Sequence, residues 1–257
     1  MTDSVVTAFA YSLPDNPYQW EQCRVFVKSL RRFYSRDLVI WGHDFDAETL
    51  KQFKKYDVIV RDPGKIPENL WINSARFFVY ADMTKNEDWE KYFLFDVRDI
   101  VFQANPMDHY AGGLHVFAED QTIGENAINA AWIQAYWGNI GLVHLLDKPV
   151  LCAGTIMGDR KNILAYCNAQ RYFSSILPDI NDQGVHNWVV HTNSLKNVVQ
   201  HGNSKSMVWT VGTKEGTDWY RLAGPVIQTP DRFTPCIVHQ FDRHSELLAA
   251  VEAEYAD

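Results

Sequence analysis

The stretch Tyr92-Phe-Leu-Phe-Asp-Val-Arg-Asp-Ile-Val-Phe102 joins a run of large apolar residues directly to two carboxylates, Asp96 and Asp99. A short, unbroken apolar run of this kind is typical of a strand buried on both faces of a sheet. In open α/β sheets, ligands bind at the carboxyl ends of the strands. We therefore expect Asp96 and Asp99 to lie at a ligand site on the edge of a buried sheet.

The residues that precede this stretch alternate between strand and helix patterns. Apolar and β-branched runs predict strands, and recurrence of apolar residues every three or four positions predicts helices. The predicted strands cover 5–11, 37–41, 56–60 and 91–95, and the predicted helices cover 18–34, a short segment from Ala47, and 73–84. This alternation indicates an α/β fold of Rossmann type, with a mainly parallel sheet flanked by helices.

The second half of the sequence is more mixed. It predicts strands at 113–118 and 150–157, helices at 126–137, 159–177, 182–191 and 245–255, and short apolar runs around Val208, Val226 and Ile237. No linker or internal repeat divides the chain. We predict one domain, with a nucleotide-binding half at 1–112 and a mixed, acceptor-side half at 113–257.

The charge balance restricts the partners. With 24 basic and 32 acidic side chains, the formal net charge is -8. Nucleic-acid backbones are bound by basic surfaces, so we expect no nucleic-acid partner. A bound diphosphate would need either a few well-placed Arg and Lys residues or a metal ion to neutralise it.

The cysteines and the apolar runs bear on the compartment. The four Cys residues lack the close spacing of a zinc or redox site, which favours buried thiols in a reducing environment. The N-terminus does not look like a signal peptide, and no apolar run reaches membrane-spanning length. We predict a soluble cytoplasmic protein without a membrane span.

Together these features resemble the GT-A-type glycosyltransferases, whose aspartate motif follows a buried strand and holds Mn²⁺ or Mg²⁺ on the diphosphate of a nucleotide sugar. The usual motif is Asp-x-Asp, whereas Asp96-Val97-Arg98-Asp99 is one residue longer. It therefore stays open which carboxylate binds the metal and which meets the ribose or donor sugar. Because many family members add a C-terminal His ligand, the resemblance implies a metal site of Asp96, Asp99 and His239.

The resemblance also implies a set of donor-binding residues beyond the metal ligands. Ala8, Ala10 and Tyr11 would meet the base and ribose, Arg76 the diphosphate, Ala153, Gly154 and Thr155 the donor sugar, Gln183 the sugar or acceptor, and Arg243 would add positive charge. Each group also has a structural interpretation. The first strand would serve equally well as core and Arg76 as a solvated helix residue, whereas a bulge at Gly154 is compatible with its role beside the donor sugar.

Asp182 is the candidate general base, which would take the proton of the attacking acceptor hydroxyl. An Asp at this position also has the simpler interpretation of a helix N-cap. Glu119 and Asp120, expected just after a strand, are the alternative bases. No residue stands out as a nucleophile, which favours inversion at the anomeric carbon.

The resemblance thus implies transfer of a sugar from a UDP- or GDP-sugar to a saccharide acceptor. One alternative is a nucleotidyltransferase that activates sugar phosphates. Such enzymes usually carry a Gly-rich basic loop after the first strand, where this chain has Ser12-Leu-Pro-Asp-Asn-Pro17. The other alternative is a non-catalytic saccharide-binding module, which would need no metal.

Overall fold

The computed structural model of the protein describes residues 3–10, 18–67, 70, 72–177 and 179–256. Its first half alternates strands and helices as the sequence predicts. The elements are β1 (Ser4–Phe9), α1 (Trp20–Arg31), β2 (Asp37–Trp41), α2 (Ala47–Lys55), β3 (Val58–Arg61), α3 (Ile72–Asn86) and β4 (Lys91–Phe95).

The second half mixes short strands with longer helices. The elements are β5 (Ile100–Phe102), β6 (Leu114–Thr122), α4 (Ala127–Val143), β7 (Pro149–Asp159), α5 (Arg160–Ile176), α6 (Asp182–His191), β8 (Val198–His201), β9 (Val208–Thr210), β10 (Arg221–Ala223), β11 (Val226–Gln228), β12 (Ile237–His239) and α7 (Ser245–Glu254). Among the described helices, none combines the length and the apolar character needed to cross a membrane.

Seven strands form one mainly parallel sheet in the order β3-β2-β1-β4-β7-β6-β8. Strand β2 runs parallel to both β1 and β3, and β6 runs parallel to β8 but antiparallel to β7. This confirms the predicted fold class at the level of an α/β protein with a mainly parallel sheet flanked by helices. The finer prediction of a GT-A architecture stays a prediction.

The chain divides into two compact units, each assembled from separate stretches of sequence. The first unit comprises Val5–Asp62, Leu94–Ala111 and Gly202–Asp257, and the second comprises Pro63–Phe93 and Gly112–His201 together with the first residues of the chain. The proposed halves at 1–112 and 113–257 remain a prediction about function.

The first unit contains a small sheet of three short strands in the order β5-β12-β9. Val101, Trp209 and Val238, one from each strand, are at most 3% exposed and belong to one core cluster with Leu247 and Val251 of α7. These apolar contacts bring the C-terminal helix and the residues that follow β4 into one packed body.

The second unit contains the long antiparallel pair β6–β7, which has an irregularity at the expected place. Val116 pairs with Ile156, whereas the next residue, Phe117, pairs with Cys152. Residues 153–155 are therefore the extra residues of a bulge, which confirms the structural interpretation of Gly154. A bulge leaves residues out of the regular ladder and bends its strand.

Several predicted boundaries needed correction. The prediction that Glu119 and Asp120 follow a strand was wrong, because β6 continues through both to Thr122. The helix predicted to end at Trp137 extends to Val143 as α4. It is kinked at Gly138, where φ is 65° and the backbone leaves the helical region. Glycine has no Cβ to clash at such a φ, so the helix can bend there and resume.

Candidate metal centre

The junction between β4 and β5 places both motif carboxylates in the first unit. Asp96 follows the last residue of β4, and Asp99 precedes the first residue of β5. Val97, the apolar residue that lies between the two carboxylates in sequence, is 5% exposed. The buried strands and this apolar anchor fix the turn that carries the two carboxylates.

Strand pairing brings His239 to the same place from the other end of the chain. Strand β12 pairs antiparallel with β5, so that His239 lies opposite Ile100. The next residue, Gln240, donates its backbone N–H to the carbonyl oxygen of Asp99 at 2.7 Å. On its other side, His239 accepts a backbone hydrogen bond from Val211 at 3.0 Å. The imidazole is therefore held beside Asp99 by ladders on both sides.

The three side chains converge closely enough to share one ion. Nε2 of His239 lies 3.5 Å from Oδ2 of Asp96 and 3.4 Å from Oδ1 of Asp99. One ligand atom from each residue lies within 4.8 Å of the others. On an octahedral ion with metal–oxygen bonds of about 2.1 Å, adjacent ligands lie about 3 Å apart and opposite ones about 4.2 Å. The cluster needs only a small contraction to reach this geometry.

The burial of the three groups rises along the cluster. The side chains of Asp96, Asp99 and His239 are 34%, 12% and 0% exposed. Oδ1 of Asp99 is buried, and its contact with Nε2 of His239, at 3.4 Å, is longer than a normal N–H···O hydrogen bond. A buried carboxylate oxygen that is so weakly paired is costly, and a cation would satisfy it. Two carboxylates and an imidazole suit Mn²⁺ or Mg²⁺, so the residues present fit the ion.

Sequence reasoning missed two groups that surround this cluster. Burial, together with the charge of Asp99, raises the pKa of Asp242, although Arg98 and Arg243 oppose the rise. Burial likewise raises the pKa of the Tyr18 phenol well above its ordinary value, and the charges of the two motif carboxylates add to it. Asp242 follows His239 by three positions, which could have drawn attention to it. Tyr18 gave no comparable signal.

Arg243 lies at the C-terminal side of the cluster, where the chain turns sharply. Gln240 has a left-handed backbone, with φ at 63°, and starts a one-turn 3-10 helix at Phe241–Arg243. A Cβ at Gly212 would overlap the Gln240 amide and would lie 2.7 Å from Nη1 of Arg243. Glycine at 212 therefore permits both side chains to approach the backbone after β9. The Arg243 residue itself is exposed.

The residues predicted to meet the base and ribose belong to β1 and the residues after it. Ala8 lies in β1 and Ala10 one residue beyond it, and both are fully buried. Ala10 donates its backbone N–H to the carbonyl oxygen of Trp41 at 2.8 Å. Tyr11 lies outside the described residues. Contact with a nucleotide stays a prediction for all three.

Arg76 and Asp182 meet in the second unit as a buried ion pair. Nη2 of Arg76 donates to Oδ2 of Asp182 at 2.5 Å and to the carbonyl oxygen of Ala153 at 3.2 Å. The two side chains are 11% and 4% exposed. The interpretation of Arg76 as a solvated helix residue was therefore wrong, because helix α3 directs it into the protein and not to solvent.

The simple interpretation of Asp182 was also wrong. The N-cap of α6 is Asn181, whose side-chain oxygen accepts from the backbone N–H of Gln183 at 2.9 Å. Asp182 is the first residue of the helix, so its carboxylate is available to the Arg76 guanidinium. Its proposed role as a base stays a prediction.

Gln183 belongs to a neighbouring amide network. Its Nε2 donates to Oε1 of Glu119 at 3.1 Å and to Oδ1 of Asn129 at 3.2 Å. Its Oε1 accepts from the backbone N–H of Ala153 at 3.5 Å. Glu119 and Asn129 are 8% and 4% exposed. The network holds the bulged strand β7 against α6 and β6, and it contains one of the alternative bases.

Comparison with known proteins adds no family to these observations. No protein-family model matches the chain, and no curated protein matches it significantly. A functional proposal therefore rests on the geometry of the Asp96–Asp99–His239 cluster and of the residues around the Arg76–Asp182 pair.

Proposed function

We propose that the chain is a divalent-metal-dependent glycosyltransferase, which moves a sugar from a UDP- or GDP-sugar to a saccharide acceptor. The observation that carries the proposal is the convergence of Asp96, Asp99 and His239 at the carboxyl end of a buried strand. The motif resemblance to GT-A enzymes named this same set of residues from the sequence. A mainly parallel α/β sheet is compatible with the proposal.

In the proposed site, Asp96, Asp99 and His239 would hold Mn²⁺ or Mg²⁺ beside the diphosphate of the donor. When bound, the ion would neutralise charge that develops on the leaving nucleoside diphosphate. Arg243 adds an exposed positive charge on the residues that follow His239. In a chain with a net charge of -8, these cationic groups would oppose repulsion of the donor.

Proton transfer is the second requirement of the reaction. We propose a carboxylate base, with Asp182 as the first candidate and Glu119 and Asp120 as the alternatives. One oxygen of Asp182 is engaged by Arg76, and Glu119 accepts from Gln183. These contacts fix the orientation of each carboxylate, as a positioned base requires.

Two measurements test the function. Isothermal titration calorimetry with UDP and with GDP should show tight binding in Mn²⁺ and much weaker binding in EDTA. Incubation with a panel of UDP- and GDP-sugars and Mn²⁺ should show slow hydrolysis of one donor, which identifies the sugar. The same assays on Asp99→Asn should lose both signals, whereas Asp218→Asn, an exposed carboxylate in the same unit, should keep them.

The outcomes separate the proposal from its rivals. Equal nucleotide affinity in Mn²⁺ and EDTA would contradict the metal assignment. Pyrophosphate release from a nucleoside triphosphate and a sugar phosphate would indicate a nucleotidyltransferase. Saccharide binding without any nucleotide binding would indicate a non-catalytic module. Asp182→Asn, compared at a temperature where it is folded, should lower turnover by about 10²–10⁴-fold if Asp182 is the base.

A further inference from the structure

Arg98 lies between the two carboxylates of the motif, so its side chain starts at the candidate metal centre. One carboxylate oxygen of Asp96 and one of Asp99 lie 3.5 and 3.4 Å from Nε2 of His239. The backbone of Arg98 belongs to the same short turn between β4 and β5 that carries both carboxylates. The position of its backbone is therefore fixed together with theirs.

The guanidinium of Arg98 also remains close to the centre. Its Nε lies 3.6 Å from Oδ2 of Asp242. Asp242 belongs to the one-turn helix Phe241–Arg243, which directly follows Gln240, and the backbone N–H of Gln240 donates to the carbonyl oxygen of Asp99. The Arg98 side chain thus runs from the turn that carries the carboxylates to the segment that follows the histidine.

The contact with Asp242 leaves most of the Arg98 guanidinium available to a ligand. Asp242 is the one ion-pair partner of Arg98 among the described residues. Their distance of 3.6 Å is longer than a hydrogen bond, and the Arg98 side chain is 66% exposed. Exposed ion pairs contribute little, so Arg98 can exchange this partner for a stronger one. A guanidinium carries five N–H donors in a fork that matches the oxygens of a phosphate group.

Arg76, to which the resemblance assigns the diphosphate, is in the opposite situation. Its Nη2 donates to Oδ2 of Asp182 and to the carbonyl oxygen of Ala153, and the ion pair with Asp182 is buried. The carboxylate neutralises the charge of Arg76, and separating a buried pair is costly. These contacts favour Arg98 over Arg76 as the arginine that binds a diphosphate.

We propose that Arg98 binds the diphosphate of the nucleotide sugar at the metal centre, an inference that rests on the proposed function. The guanidinium leaves Asp242 and donates its N–H groups to phosphate oxygens. In a chain with a net charge of -8, a cation at this place opposes repulsion of the donor. The same charge repels a bare metal ion, so Arg98 strengthens binding of the diphosphate but weakens binding of the ion alone.

Two titrations of the intact protein with opposite expected results test the inference. Calorimetry with UDP and with GDP in saturating Mn²⁺ measures binding of the diphosphate, and equilibrium dialysis measures binding of Mn²⁺ alone. Arg98→Gln should weaken nucleoside diphosphate binding by about 10- to 100-fold, because charged hydrogen bonds are lost. It should tighten Mn²⁺ binding by about threefold at low salt, because a like charge is removed. Arg36→Gln, which changes an exposed arginine directly before β2, is the matched control and should alter neither affinity.

A double variant distinguishes direct binding from neutralisation of Asp242. If Arg98 acted only by neutralising this carboxylate, Arg98→Gln/Asp242→Asn would bind the nucleotide as tightly as the wild type does, and the inference would be wrong. Direct binding predicts that the double variant remains as weak as Arg98→Gln, because no guanidinium is present to bind the phosphate oxygens.

The remaining outcomes separate this inference from the proposed function. If the wild type binds UDP or GDP in Mn²⁺ and Arg98→Gln binds it equally well, the inference alone fails. A parallel loss of Mn²⁺ and nucleotide affinity in Arg98→Gln would also overturn it, because the substitution would then only disorder the site. If the wild type binds neither nucleotide in Mn²⁺, the inference and the proposed function fail together.

Discussion

The metal centre and the Arg76–Asp182 pair differ in whether the protein itself neutralises the charge of their carboxylates. In the second unit, one guanidinium faces one carboxylate at 2.5 Å, so the chain itself neutralises the charge. In the first unit, two carboxylates lie around one imidazole. Even a protonated His239 would leave that group with one excess negative charge.

This difference shows how to distinguish a structural from a ligand-binding use of acidic residues. In a buried ion pair the two charges neutralise each other, and loss of either partner leaves an unpaired buried charge. A cluster with excess negative charge is completed by a cation from solution, and its ligands can be changed with a smaller effect on folding. The comparison therefore predicts that loss of one partner of the pair lowers stability, in addition to any loss of turnover if Asp182 is the base, whereas substitutions in the cluster act mainly on binding.

The largest effect is expected from Arg76→Ala. It leaves the Asp182 carboxylate buried without its guanidinium, and breaking such a pair typically costs about 3–5 kcal/mol. Urea denaturation should show this loss in the free energy of unfolding. The double variant Arg76→Met/Asp182→Leu should recover most of it, since both charges are then removed. A single variant as stable as the wild type would contradict the view of the pair as a structural element.

The next effect concerns the cluster. Asp99→Asn should weaken Mn²⁺ binding by about 100-fold, or about 2.8 kcal/mol, because it removes a charged ligand from the most enclosed carboxylate position. Equilibrium dialysis with Mn²⁺ alone measures this without any donor. The melting temperature without metal should change little. Should the asparagine variant bind Mn²⁺ as the wild type does, the cluster would have to be a structural network like the ion pair.

A pH titration extends the comparison to His186, a fully buried histidine outside the cluster. His186 accepts a hydrogen bond from or donates one to the Tyr166 hydroxyl at 2.9 Å through Nδ1. Burial, with smaller effects of the charges of His191 and Arg76, lowers the pKa of His186 to about 3. Below about pH 6.5 the unfolded chain takes up a proton that the folded chain does not, so this histidine makes folding less favourable as pH falls towards 3.

The expected slope is at most about 1.4 kcal/mol per pH unit from this one group. His186→Gln keeps a polar partner for Tyr166 but does not titrate. Between pH 6.5 and 4.5 the free energy of unfolding of this variant should therefore fall by about 2–3 kcal/mol less than that of the wild type. Urea denaturation at both pH values gives the two slopes. Parallel slopes for wild type and variant would show that His186 is accessible to protons in the folded state.

The smallest expected effect concerns the cap of α6 and tests whether Asn181 or Asp182 has this role. Asn181→Ala removes the side chain that caps α6 and should cost about 1 kcal/mol, whereas Asn181→Asp should be nearly neutral. Thermal or urea unfolding can resolve a difference of this size. A neutral Asn181→Ala would return the capping role to Asp182 and would make its pairing with Arg76 secondary.

The sequence was most informative where the pattern is local. The bounds of β2 and β4 agree with the prediction, because each is a continuous apolar run between polar residues. The irregularity of β7 around Gly154 was also expected, because a glycine inside a strand pattern often marks a bulge. Asp96, Asp99 and His239 were selected together only through the family resemblance, and the structure brings them together.

What the sequence could not show depends on contacts between distant residues. Strand β5 has three residues and is recognisable only through its pairing with β12. Arg76 and Asp182 are 106 positions apart, and nothing local to either one indicates a partner. The same holds for Tyr18 and Asp242, whose surroundings become special only when the chain folds around the cluster.

The pairing of His239 with Ile100 has a consequence for biosynthesis. The histidine follows Asp99 by 140 positions in the sequence, so synthesis makes both carboxylates long before the imidazole. Helix α1 also holds the residues that follow α7, since Nζ of Lys28 donates to the carbonyl oxygens of Tyr255 and Ala256 at 3.0 and 2.7 Å. A nascent chain that has not yet reached β12 carries both acids without the imidazole, so the proposed affinity for a cation would arise only once β12 has been made.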